Sequence, residues 1–92
     1  MTRYRRRDQI EIRVADALDA AGSRWSADLI AKRATGVPGY RMTLAFLELE
    51  GDGSAFVGID PAPSREEAEA RGEALATDPV RLARLLEAER GG

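Results

Sequence analysis

Ninety-two residues, 43% apolar and 33% charged with a net charge of −2, make one small globular domain and leave no room for a second core. The chain has neither cysteine nor histidine, which excludes disulfides, thiolate nucleophiles, zinc sites of the usual kind and imidazole acid–base chemistry. No apolar run approaches the ~18 residues of a membrane span. The basic start "MTRYRRRDQIEI" also lacks the hydrophobic stretch of a secretion signal, so a cytoplasmic location is expected.

The charge is unevenly spread. Arg3, Arg5, Arg6 and Arg7 make residues 1–7 a basic, flexible arm, and the remaining residues carry a net −6. From Asp8 to Ala21 the apolar residues Ile10, Val14, Ala17, Leu18 and Ala21 recur at helical spacing, and Gly22 supplies a C-terminal stop. "SRW" (residues 23–25) is a short link or a very short strand. Ser26 then caps a second helix, "ADLIAKRAT", with Leu29, Ile30 and Ala34 facing inward and Gly36 at its end.

The third segment, "RMTLAFLELE", admits two readings. Met42, Phe46 and Leu49 fall at i, i+4 and i+7, and Thr43 is the sole β-branched residue from Tyr40 to Glu50, which favours a helix over residues 39–50. The same residues followed by "GDG" and "SAFVGID" also resemble two strands around a glycine turn, and Leu44 and Leu47 lie off the helical stripe. "AFVGID" is a strand in either case. Ser64 and Glu67 form a capping box that opens a fourth helix to about Ala76, with Gly72 weakening its middle. Asp78-Pro79 starts a fifth helix with an apolar face of Val80, Leu82, Leu85 and Leu86.

Three helices, a glycine and a strand follow the order of a winged helix-turn-helix. "TGVPGYRMTLAFLELEGDG" places Gly36-Val37, Met42, Phe46, Leu49-Glu50 and Gly53 at the spacing of that fold. Residues 8–60 thereby resemble bacterial regulators of the MarR, PadR and IclR type. The resemblance implies a mostly α, α+β fold: a three-helix core with a short, truncated wing strand, and residues 61–92 as a helical extension of the same domain. It departs from the family in a turn one residue longer than usual, in a wing that ends in Pro-Ala-Pro, and in the acidic residues Glu48 and Glu50 on the third helix.

The function implied is double-stranded DNA binding, by a transcriptional regulator or an accessory DNA binder of the phage or plasmid kind. A docked third helix would present Tyr40, Arg41, Thr43 and Leu44 to the groove, with Lys32 and Arg33 on the phosphates. The arm arginines suit a minor groove. Leu82, Leu85 and Leu86 offer a homodimer seam, or else pack within the monomer. The alternative is a winged-helix adaptor whose partner is a protein held on a Tyr40, Leu44, Leu47 and Glu48 face. No nucleophile–base pair or phosphate-cradling loop accompanies the carboxylates, so neither an enzyme nor a cofactor or metal site is expected.

Overall fold

The computed structural model describes residues 9–33 and 36–91. Four strands come first, β1 (Gln9–Ala20), β2 (Ser23–Lys32), β3 (Tyr40–Glu48) and β4 (Ser54–Ala62), followed by two helices, α1 (Arg65–Ala76) and α2 (Pro79–Gly91). The strands form one antiparallel sheet in the order β1-β2-β3-β4, a simple meander. Both helices pack on one face of it. Among the described residues no helix precedes Arg65. This overturns the winged helix-turn-helix expected for residues 8–60: the recognition helix of residues 39–50 is β3 and its turn.

Each misread segment has a physical cause. In β1 the pairing with β2 shifts between Arg13 and Ala15 and again between Ala15 and Leu18. Each irregularity inserts one extra residue on β1, and Val14 and Leu18 are both buried four positions apart, a spacing that a strand face and a helix face share. Ala21 and Gly22 take φ of 50° and 75°. Two successive left-handed residues make the tight hairpin whose twist matches antiparallel strands. The positive φ that suggested a helix stop at Gly22 is real, but it joins β1 to β2.

In β2, Trp25, Ser26 and Ala27 are all buried, because this interior strand has neighbours on both sides and helices above. From Ala27 to Ala31 burial alternates, but the buried Ser26 and the apolar Ile30 beside Leu29 blur that alternation in the sequence. In β3 the alternation is clean: Tyr40, Met42, Leu44 and Phe46 are buried, while Arg41 and Leu47 are exposed. Met42 and Phe46 satisfy helical and strand spacing equally. Leu44 decides for the strand, being fully buried, and Leu49 lies outside the strand at 45% exposure.

The C-terminal third follows its local signals. The Glu67 backbone N–H donates to Ser64 Oγ at 3.1 Å, forming the expected cap of α1. The Arg81 N–H donates to Asp78 Oδ1 at 3.2 Å in the first turn of α2. Helix α1 presents Ala68, Gly72 and Leu75 to the sheet. A Cβ at Gly72 would lie 3.0 Å from Ile12 Cδ1, so the mid-helix glycine allows close approach of helix and sheet.

The core lies between these layers. Trp25, Leu29, Met42, Leu44 and Phe46 from the inner face of the sheet meet Leu82 and Leu86 of α2. At roughly 1.5–3 kcal/mol for each large side chain removed from water, this cluster is the main stabilising feature. Leu82 and Leu86 are thus covered by the chain's own sheet, and the expected dimer seam of Leu82, Leu85 and Leu86 retains partial exposure only at Leu85.

Candidate nucleic-acid interface

The helices cover one face of the sheet and leave the other open, so the residues alternating with the core define an outer surface. Its geometry follows from strand register. Gln9 is opposite Lys32 and Lys32 is opposite Arg41, making a three-strand row at one end of the sheet. Side chains directly opposite in an antiparallel pair stand about 4.5–5.5 Å apart at Cβ. Two exposed cations therefore face each other on neighbouring strands. Arg33 follows immediately, and its guanidinium lies 5.9 Å from the centre of the Tyr40 ring.

Two acids lie nearby. Glu11, two residues along β1, accepts a hydrogen bond from the Gln9 side chain at 2.9 Å. Asp60 lies in the irregularity between the Tyr40–Ala62 and Met42–Ile59 pairs. Neither forms an ion pair with Lys32, Arg33 or Arg41 among the described residues.

The opposite end of the sheet is organised differently. Arg24 pairs with Glu50 at 2.7 Å, and Arg90 lies 5.0 Å above the Trp25 ring. The Glu48 carboxylate accepts hydrogen bonds from Ser23 Oγ and from the Gly53 N–H. Those bonds, the serine's first, hold its pKa below the usual glutamate value against a smaller opposing effect of burial. On the outer face Arg13 bridges Asp28 at 2.8 Å and Asp16 at 3.1 Å.

The expected site residues therefore separate. Lys32, Arg33 and Arg41 come together at one end of the sheet. Thr43 is half-buried on the outer face, opposite Ile30 and Gly58. Tyr40 and Leu44 are buried on the inner face, so neither reaches a groove or a partner. Of the adaptor face of Tyr40, Leu44, Leu47 and Glu48, Leu47 alone is exposed. Arg3, Arg5, Arg6 and Arg7 lie outside the described residues.

Sequence reasoning missed Phe56, which is 61% exposed on β4 opposite Ala45. A strand reading of "SAFVGI" with Ala55 and Val57 inward would have found it, because alternation then sends Phe56 outward. Among the described residues no group of three or more Asp and Glu side chains is disposed to hold a metal ion. No helix of the described residues is long and apolar enough to cross a membrane. Comparison with family models, curated proteins and solved structures gives no match.

Proposed function

We propose that this chain is a small DNA-binding protein that grips the phosphate backbone with the basic end of its sheet and its arginine-rich N-terminal segment. The observation that carries this reading is the Lys32–Arg41 pair: like charges directly opposite each other on an open face. Such a pair is unfavourable in the free protein and becomes favourable when an anion lies across it. Arg33 adds a third cation at the same end, and Arg7 stands two residues before Gln9 in sequence.

Duplex DNA carries one negative charge per ~1.7 Å of axis and binds cations with release of its counterions. Among the described residues no recognition helix accompanies these cations, so phosphate contact rather than base readout dominates, and sequence selectivity is weak. Contacts from the arm to a minor groove would be drawn by groove potential.

The test is a mobility-shift titration on random duplex at several salt concentrations. Replacing Arg5, Arg6 and Arg7 by Gln should make the negative slope of log K against log salt shallower by about 3, and Lys32→Gln with Arg41→Gln by about 2, following the ~0.9 counterions released per neutralised phosphate. Absence of retardation at low salt would falsify the proposal.

A second reading, a protein-docking surface on the same open face, is favoured by Leu47 and Phe56, exposed at 51% and 61%. Leu47→Asp should abolish such docking and leave the salt slope unchanged.

A further inference from the structure

The sheet has two edges, and they differ. Strand β1 is bent by its two register shifts and carries the exposed charges Arg13 and Asp16 beside them. Irregularities and charges of this kind are the usual protection of an edge against pairing with another chain. Strand β4 has no register shift from Ser54 to Ile59, and "SAFVGI" carries no charge. Asp60-Pro61 interrupts only its far end.

The sequence of that edge is complementary to itself. If two copies pair antiparallel about a two-fold axis at Val57, residue Ala55 faces Ile59 of the other copy, and Phe56 faces Gly58. In both of these pairs a large side chain meets a small one, and at the axis Val57 meets its own copy. A Cβ at Gly58 would find nothing within 4 Å, so there is open space for the partner's ring. Packing an aromatic over a cross-strand glycine offsets the weakness that glycine brings to a strand. Val57 and Ile59 are only partly covered in the monomer, and an adjoining strand would extend the core over them.

Beside this edge lies a cleft of ≈ 320 Å³ whose apolar lining includes Ile59, Leu75 and Leu85. The next outward pair is Ser54 with Asp60, so no like charges meet anywhere along the strand.

We infer that β4 is the pairing edge of a homodimer, joining two four-stranded sheets into one of eight strands centred on Val57. This site differs from the basic end and needs no DNA. Because the native chain has no cysteine, a single introduced one reports the register. Paired β-strand Cα atoms lie within the 4.4–6.8 Å that a disulfide requires.

Under mild oxidation without DNA, Val57→Cys should form a covalent dimer at least ten times faster than Ser54→Cys or Leu47→Cys. In sedimentation equilibrium, the unsubstituted chain should rise toward twice the monomer mass with concentration. Phe56→Lys, at a position already exposed, should weaken that association at least tenfold and leave the circular dichroism of the monomer unchanged. A chain that stays monomeric at millimolar concentration overturns the inference. So does cross-linking that proceeds as fast from Ser54→Cys as from Val57→Cys.

Discussion

The two ends of the sheet are built from similar residues and put them to different uses. At the end formed by the β1–β2 turn and the β3–β4 loop, charges are tied within the fold: Arg24 to Glu50, Glu48 to Ser23 and Gly53, and Arg90 to the face of Trp25. At the other end Lys32 faces Arg41, and Asp60 and Glu11 form no ion pair with either among the described residues. The first arrangement stabilises a loop. The second adds repulsion to the free protein, and under the proposed function an anion laid across it offsets that cost. Charge count alone does not separate the two; the distribution of partners does.

The largest way to break this contrast is at Trp25. Its indole N–H donates to the Ala20 carbonyl at 2.8 Å, its ring is 1% exposed, and Arg90 lies above it. Trp25→Ala should cost about 3–5 kcal/mol in urea denaturation, because it leaves a cavity and removes the indole's hydrogen bond to the Ala20 carbonyl. The cations at the far end should then still bind DNA under conditions where the variant remains folded.

Glu48 gives a pH-dependent effect. Its folded pKa is lowered, chiefly by the Ser23 hydroxyl and then by the Gly53 N–H. Its contribution to stability is therefore fully present above the usual glutamate pKa and is lost as pH falls through the lowered folded value. Glu48→Gln should be less stable than the unsubstituted chain at neutral pH, and the gap should close on acidification. Parallel denaturation curves from neutral to acidic pH measure this. A gap that widens as pH falls would contradict the assignment.

The smallest effect on folding sharpens the contrast most. Lys32→Glu turns the repulsive pair with Arg41 into an attractive one and should raise stability by about 0.2–1 kcal/mol, the usual range for cross-strand charge pairs. The same substitution should weaken DNA binding. A surface charge reversal that helps folding while impairing binding is expected only where the like-charge pair serves a ligand. Denaturation and mobility shift on one preparation read both sides.

Parts of the fold were legible because their signals are local. The Ser64–Glu67 cap and the Asp78-Pro79 start act within one turn of backbone, so both helices stand where the sequence puts them. The β4 strand was legible for the same reason: Asp60-Pro61 marks its end. Strands β1 to β3 were not. In β1 two register shifts distort the alternation, in β2 the buried Ser26 and the apolar Ile30 blur it, and in β3 Met42 and Phe46 fit both periods. Of the candidate site, the cations were identified by residue type, yet the helix meant to carry them does not exist. A helical reading of this segment turns Tyr40 and Leu44 outward, whereas strand alternation buries both on the inner face.

By itself the sequence determined composition, the absence of thiol and imidazole chemistry, the basic start, and the capped helices after Pro63, all of which depend on residue identity or on contacts a few positions apart. Only the tertiary structure decided that Lys32 and Arg41, nine positions apart, share one row, and that Phe56 is exposed. Strand pairing sets those facts, and its register depends on bulges and neighbours that no short window of sequence contains.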